Sequence, residues 1–201
     1  MSQEAVDRNK RRFLTNLTAG VGLVGVGFAA VPFLASMAPS ARARAAGAPV
    51  EADISRIEPG QMITVEWRGK PVWILNRSKE MMDKLPAMEG LLADPNSEFS
   101  EQPGYVDPTY RSIDKANLLV VIGLCTHLGC SPDKKIEPGV DSGLGADWPG
   151  GFFCPCHGSK FDLAGRVYKN VPAPTNLPVP PYAFRSDTVL VIGVDSEKGV
   201  A

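Results

Sequence analysis

Thiol and imidazole groups are scarce in this sequence. Its 201 residues include four cysteines and two histidines, and all six lie between Cys125 and His157. Any site that binds a soft metal ion through thiolates or imidazoles must therefore lie in this stretch. The net charge of −1 gives no indication of a nucleic-acid partner. The chain also lacks an internal repeat and a glycine-rich phosphate loop, which argues against repeat proteins and nucleotide-binding folds.

An uncharged stretch near the N-terminus predicts a transmembrane anchor. No charged residue occurs from position 13 to position 41, and the apolar segment 17–37 is long enough to cross a bilayer, which takes about 20 residues. A cleaved secretory signal is the alternative, although its apolar region usually spans only about 7–15 residues. The glycines of this segment argue against a buried soluble helix, and Pro32 predicts a kink near its far end.

Basic residues flank the predicted anchor and indicate its orientation. Two of them, Arg42 and Arg44, follow the anchor, and four precede it: Arg8, Lys10, Arg11 and Arg12. The excess before the anchor favours an N-terminus in the cytoplasm and a body outside it. The sequence at 10–14, KRRFL, also resembles a twin-arginine export signal, a route that carries folded proteins and so suits a cofactor inserted in the cytoplasm. The alternative to an export signal is that these basic residues only set the membrane topology.

Composition predicts four regions. Residues 1–16 form a cytoplasmic N-terminus, 17–37 the anchor, 38–50 a flexible tether and 51–201 the globular body. The tether prediction depends on small residues with interspersed proline and glycine and on the lack of an apolar face. A helical turn that fixes the connection is the alternative.

The sequence of the body predicts a mostly β fold. Alternation at 62–67, a turn at 68–70 and a strand at 72–75 indicate a hairpin. Residues 78–85 predict a helix capped by its first serine, and 86–112 should be loop. Further short strands are predicted at 118–123, 152–153, 161–163, 182–184 and 188–194. Short strands with frequent turns predict an antiparallel sandwich or barrel.

Two loops of the body contain all of the candidate metal ligands. The first reads Cys125-Thr126-His127-Leu128-Gly129-Cys130, and the second reads Cys154-Pro155-Cys156-His157-Gly158-Ser159. Their spacing leaves three kinds of site open. An iron–sulfur cluster is favoured. A Cys2His2 zinc site fits the ligand types but leaves two cysteines unused. Two disulfides would place both histidines beside cysteines by accident.

The paired motifs CTHLGC and CPCHGS resemble those of Rieske iron–sulfur proteins. With the anchor and most of the body, they resemble the iron–sulfur subunit of bacterial ubiquinol–cytochrome c reductase, the cytochrome bc complex. The resemblance implies a Rieske-type antiparallel β sandwich or barrel with an inserted cluster-binding subdomain, whose loops span 124–160. It also implies one 2Fe–2S cluster as the cofactor.

The resemblance assigns roles to six residues of these loops. Two thiolates should bind one iron, two imidazoles the other, and the remaining cysteines should form a disulfide: Cys125 and Cys154, His127 and His157, and Cys130 and Cys156, respectively. His157, with His127 also near the exposed tip, is the candidate catalytic residue that hydrogen-bonds quinol. The alternative is that both histidines are buried and act only as ligands.

The resemblance also indicates residues around the cluster. Ser159 should donate a hydrogen bond to a cluster sulfide, and Leu128 should shield the cluster from water, unless it is an ordinary apolar loop residue. Phe161 stands where many relatives have a tyrosine that donates to a cysteine sulfur, which predicts a lower potential. Residues 171–174, VPAP, resemble the proline loop that covers the cluster, with Val171 in place of the usual glycine; a rigid connector is the alternative.

These ligands suit the oxidation of a quinol. Four thiolates would leave an oxidised cluster dianionic, whereas two thiolates and two neutral imidazoles leave it neutral. Such clusters have potentials of about −150 to +300 mV, against about −400 mV for all-cysteine plant-type clusters. An imidazole bound through one nitrogen can also exchange a proton at the other, and reduction favours proton uptake there.

The resemblance therefore implies a subunit of a proton-translocating quinol–cytochrome c reductase, which takes an electron and a proton from ubiquinol and passes the electron to a c-type cytochrome. Its partners would be a cytochrome b subunit, a c-type cytochrome subunit and membrane lipid, in a dimeric multi-subunit complex. It would cross the bacterial inner membrane once, with the C-terminal domain in the periplasm. The alternatives are the Rieske subunit of another exported oxidoreductase, of the arsenite oxidase type, and a structural zinc-binding adaptor.

Overall fold

The computed structural model describes residues 7–195 and 199–200. Part of the predicted cytoplasmic N-terminus (1–6) and part of the predicted body (196–198 and 201) lie outside the described residues. The chain divides after Ala45 into an N-terminal unit and a body. The predicted boundary between tether and body falls a few residues later, at position 50.

The N-terminal unit contains one long apolar helix, α1 (Arg8–Ser36). It begins well before the predicted anchor at 17–37 because Asp7 caps it: the Asp7 carboxylate accepts hydrogen bonds from the backbone N–H groups of Asn9 and Lys10 at 2.9 and 3.1 Å. Pro32 lies inside the helix, which continues beyond it to Ser36. No residue of α1 is buried, and its apolar window has a mean hydropathy of 2.0. By length and composition, α1 can cross a membrane.

The predicted tether contains a short helix, α2 (Ala41–Ala46). The Ser40 hydroxyl accepts a hydrogen bond from the backbone N–H of Ala43 at 3.1 Å, as an N-terminal cap does. A helix of six residues is marginal in water on its own, because nucleation is costly. The segment is thus partly helical, and its flexibility stays a prediction.

The body is mostly β, as predicted, and its strands pair antiparallel. The described strands are β1 (Val50–Asp53), β2 (Met62–Trp67), β3 (Lys70–Asn76), β4 (Leu118–Ile122), β5 (Asp133–Lys135), β6 (Gly151–Cys154), β7 (Ser159–Phe161), β8 (Tyr182–Phe184), β9 (Val189–Ile192), β10 (Val194–Asp195) and β11 (Gly199–Val200). Among the described residues, these strands form three three-stranded sheets, with the orders β1-β9-β8, β2-β3-β4 and β5-β6-β7, and β10 pairs with β11. One helix, α3 (Lys79–Lys84), is capped by the Ser78 hydroxyl.

Several predicted elements differ from the structure. The first hairpin turns on two residues, Arg68 and Gly69, both with positive φ (52° and 70°), as tight hairpin turns require. The strand predicted at 161–163 overlaps β7 (Ser159–Phe161) only at Phe161, because Asp162 accepts hydrogen bonds from backbone N–H groups after it and starts a turn. The expected loop at 86–112 begins with a 3₁₀ helix, Pro86–Leu91, that has proline in its first turn.

The core brings the ends of two strands together, and both strands lead to the cysteine loops. All five residues of β4 are buried, and the chain continues through Gly123 into Cys125. The ring of Trp73, on the adjacent strand β3, stacks on Phe152 of β6 with ring centroids 5.0 Å apart. A Cβ at Gly123 would lie 2.2 Å from the Trp73 ring, so only glycine fits there. Trp73 thus packs against both segments that lead into the cysteine loops, at Gly123 and at Phe152.

Candidate metal centre

The two cysteine loops close in the same way. The backbone N–H of Gly129 donates to the carbonyl of Cys125, and that of Gly158 donates to the carbonyl of Cys154, both at 2.9 Å. Each glycine follows its cysteine by four positions and has a φ near 80°, a conformation that favours glycine. Two unrelated stretches of sequence therefore present a cysteine and a histidine on similarly shaped turns.

A disulfide between Cys130 and Cys156 joins the two loops. This confirms the pairing that the resemblance implied. The other two cysteines, Cys125 and Cys154, are free and buried. The covalent link therefore leaves one thiol in each loop available for a metal ion.

Three cysteine sulfurs lie close together, but this group is not a metal site. The Sγ atoms of Cys130, Cys154 and Cys156 lie within 4.8 Å of one another. Two of the three are oxidised in the disulfide, so they offer no thiolate, and thiolate is the form that binds metal. Of this group, only Cys154 is suited to be a ligand.

The Cys154 thiol lies close to the Cys125 thiol in a desolvated site. Burial raises the pKa of Cys154, and the adjacent Cys125 raises it further, against the opposing effect of the backbone N–H groups of Cys156 and His157. Burial and the neighbouring thiol thus oppose ionisation of Cys154 in the absence of a bound cation. Cys125 and Cys154 would hold a metal ion here, and its positive charge would favour the thiolate form.

The two histidines, one in each loop, lie beside each other. The ring centroids of His127 and His157 are 4.7 Å apart, and the rings are perpendicular. The Nδ1 atom of His127 is buried and has no hydrogen-bond partner among the described residues, a costly arrangement unless the atom binds something else. His157 is exposed. Two adjacent thiols, two adjacent imidazoles and an orphaned ring nitrogen fit a mixed-ligand iron–sulfur cluster.

Ser159 and Leu128 take very different positions. Ser159 is fully buried, and its hydroxyl accepts a hydrogen bond from the backbone N–H of Ala173 at 3.0 Å, which leaves the hydroxyl proton free to be donated. Leu128 is 72% exposed beside His127. The geometry of Ser159 suits the predicted bond to a sulfide, and the shielding role of Leu128 stays a prediction.

The proline loop is fixed to both cysteine loops. Ala173 is bonded to Ser159 in the second loop, and the Thr126 hydroxyl in the first loop donates to the carbonyl of Thr175 at 2.7 Å. The positive φ in this region falls on Asn170 (58°), just before Val171. Because asparagine tolerates this conformation, Val171 can stand where glycine was expected. Neither Thr126 nor Asn170 was predicted to have a role at the site.

Comparison with known proteins identifies the family. A sequence profile described as "Rieske [2Fe-2S] domain" matches residues 49–182. The chain belongs to the Rieske iron–sulfur family. A second profile, "Ubiquitinol-cytochrome C reductase Fe-S subunit TAT signal", matches residues 1–40. The cofactor of this Rieske protein is therefore a 2Fe–2S cluster, and its twin-arginine signal and apolar helix fit a membrane-anchored subunit.

Similar proteins match along nearly the whole chain. The ubiquinol–cytochrome c reductase iron–sulfur subunit of Allochromatium vinosum is 58% identical over 195 residues, which cover 97% of this chain and 93% of that protein. The subunit of Blastochloris viridis is 45% identical over 194 residues, with coverages of 96% and 97%. A chain of a solved hyperthermophilic respiratory Complex III is 26% identical, with coverages of 86% and 98% and a TM-score of 0.46.

Replacing Phe161 by tyrosine should raise the midpoint potential of the cluster. Phe161 is fully buried in β7, two positions after Ser159. Its phenyl ring cannot donate a hydrogen bond, whereas a tyrosine hydroxyl on a ligand sulfur would stabilise the more negative, reduced cluster. A redox titration monitored by EPR measures the shift, with Phe184→Tyr, on β8, as the control. An unchanged or lower midpoint in the Phe161→Tyr chain would count against this role.

Proposed function

We propose that this Rieske protein is the electron-transfer subunit of a respiratory ubiquinol–cytochrome c reductase. It takes one electron and one proton from ubiquinol and passes the electron to a c-type cytochrome. The observation that carries the proposal is the pair of adjacent imidazoles, His127 and His157, of which His157 is exposed. Relatives that carry the subunit's name match over almost their entire length, which supports the same assignment.

The proposed ligands are the four side chains that the two loops bring together. Cys125 and Cys154 hold one iron, and His127 and His157 hold the other. The buried, unpartnered Nδ1 of His127 supports iron binding through that atom, which leaves the opposite ring nitrogen, Nε2, for a proton. When bound, a 2Fe–2S cluster with these ligands accepts a single electron at a relatively high potential.

His157 is the proposed contact with the quinol. Its exposure allows a ring nitrogen to accept a hydrogen bond from a quinol hydroxyl and then the proton itself. Proton uptake at the ring compensates the negative charge that an added electron brings. His127 is half-buried and acts beside it, and Leu128 shields the cluster from water.

The proposed placement puts α1 in the inner membrane of a bacterium, the residues before the anchor in the cytoplasm and the body in the periplasm. The disulfide supports this orientation, because such bonds persist in oxidising compartments. In this arrangement, α1 contacts lipid and a cytochrome b subunit, and the body exchanges electrons with a c-type cytochrome subunit. The complex is a dimer of such units.

Purification of the chain from its native membrane tests the proposal. We expect haem b and haem c to co-purify with it, and we expect ubiquinol to reduce added cytochrome c in a reaction that requires His157. A preparation that lacks haem b, and whose cluster ubiquinol leaves oxidised, would contradict the proposal. Oxidation of arsenite by such a preparation would favour the other exported oxidoreductase.

The tether should let the body move between its electron donor and its electron acceptor. Replacing residues 46–49 by four prolines should slow turnover, because polyproline is semi-rigid, whereas four residues of glycine and serine should preserve it. Steady-state ubiquinol–cytochrome c reductase activity measures the difference, and the EPR signal of the ascorbate-reduced cluster shows that both chains contain it. Equal turnover of the two variants would refute a mobile tether.

A further inference from the structure

A group of buried charges has no part in the function proposed above. In the described part of the chain, five charged side chains are at most 4% exposed: Arg77, Asp94, Arg111, Asp162 and Arg166. Buried charges are expensive and are usually paired. Here three cations face two carboxylates, so the interior of the body carries an excess positive charge.

The arginines converge on the turn that follows β7. Arg166 donates from Nε to the Asp162 carboxylate at 2.8 Å, and both side chains are buried. The same carboxylate accepts the backbone N–H groups of Ala164 and Arg166 at 2.9 and 2.8 Å. The ion pair thereby fixes the turn from its inner side.

The other two arginines bind the same turn through neutral groups. Arg111 donates from Nη1 to the carbonyl oxygens of Ala164 and Gly165, both at 3.3 Å. Arg77 donates from Nη1 to the carbonyl oxygen of Leu163, also at 3.3 Å. Carbonyl dipoles solvate a guanidinium without cancelling its charge.

The remaining carboxylate is already engaged by other donors. Asp94 accepts the backbone N–H groups of Glu98 and Phe99 and the hydroxyl of Ser100. Burial lowers the pKa of Arg77 and of Arg111 to about 10, which is still well above neutral pH. Both guanidiniums therefore stay charged, and the excess of positive charge is permanent.

This charge lies close behind the second cysteine loop. Ser159, the first residue of β7, pairs with Cys154, and Asp162 comes three positions later. At about 3.3 Å per residue, the turn is about 10 Å along the strand from Ser159. Interactions between buried charges are screened much less than those at the surface, so their effect extends over such a distance.

We infer that the buried arginines around the Asp162 turn raise the reduction potential of the 2Fe–2S centre. A fixed positive charge favours the addition of an electron to the centre and disfavours its loss. Arg77 and Arg111 are thus positioning residues with an electrostatic effect, because they hold the turn behind the second loop and keep its surroundings positive. The inference concerns the centre itself and does not depend on which molecule donates the electron.

The test compares midpoint potentials of variants of the full-length chain in its native membrane complex. Chemical mediators set the potential and EPR measures the reduced centre, so that the result is independent of quinol. Arg111→Gln should lower the midpoint, and Asp162→Asn should raise it. The midpoint of the Arg111→Lys variant should stay near the original value, because lysine keeps the positive charge. Arg56→Gln, at an exposed position, is the matched control and should leave the midpoint unchanged.

The opposite signs of the two expected midpoint shifts distinguish an electrostatic effect from mere loosening of the turn. Shifts of Arg111→Gln and Asp162→Asn in the same direction, or no shift in either, would overturn the inference. The shifts should also persist at high salt, which screens only surface charges. If either variant assembles no centre, Arg77→Gln should lower the midpoint and Asp94→Asn should raise it, and failure of that pair to diverge overturns the inference equally.

Discussion

Replacing Cys154 by serine should abolish the 2Fe–2S centre, whereas replacing both disulfide cysteines by alanine should leave a centre that forms but is less stable. Cys154 offers a buried free thiol beside Cys125, and a serine hydroxyl does not ionise there to replace the thiolate. Cys130 and Cys156 are bonded to each other and offer no ligand. EPR spin quantitation per chain, with the visible spectrum, measures the two outcomes.

The double alanine variant should lose stability but still form the 2Fe–2S centre. The bond links residues 26 positions apart, and closing a loop of that length stabilises a fold by about 3–4 kcal/mol in the chain-entropy account. Cys156→Ala keeps its backbone N–H, one of the groups that favour the charged form of Cys154. A double alanine variant with no centre at low temperature, or a Cys154→Ser chain with a full centre, would contradict these roles.

Replacing Gly123 by alanine should destabilise the body by about 3 kcal/mol or more, a cost typical of severe overpacking. The new Cβ would lie 2.2 Å from the Trp73 ring, which cannot easily withdraw because it stacks on Phe152. Thermal unfolding of the purified protein, together with its cluster content, measures the effect. Gly104→Ala is the matched control, since nothing lies within 4 Å of a Cβ at that position.

A second substitution tests the cause of that loss. If overlap with the indole is responsible, Gly123→Ala should cost much less in a Trp73→Leu background than in the original chain. Equal costs in the two backgrounds would show that another contact is responsible. A loss at Gly104 as large as that at Gly123 would equally remove the explanation.

The sequence predicted those elements whose own residues show a hydrophobic pattern. Alternation at 62–67 and the uninterrupted apolar run before Cys125 correspond to β2 and β4. The charged strand β5, with the sequence DKK, was missed because it has no apolar face and forms only by pairing with β6. The end of β7 was placed too late because the side chain of Asp162, rather than hydrophobicity, stops the strand.

The candidate site was more predictable than the framework around it. Its ligand types cluster in two short motifs, so the resemblance located the loops and the disulfide. The hydrogen bonds from Thr126 to Thr175 and from the buried Arg111 to Ala164 and Gly165 connect segments far apart in sequence. No local pattern indicates such contacts, because they depend on how distant segments pack together.

Low-temperature EPR of the full-length chain after reduction with ascorbate tests most directly whether histidines ligate one iron. The proposed nitrogen donors at His127 and His157 would make the centre a mild oxidant, so a mild reductant should yield the full signal of the reduced cluster. A centre held by thiolates alone would have a potential of about −400 mV and would stay oxidised. A sample that is silent after ascorbate and gives its signal only with dithionite would contradict the account.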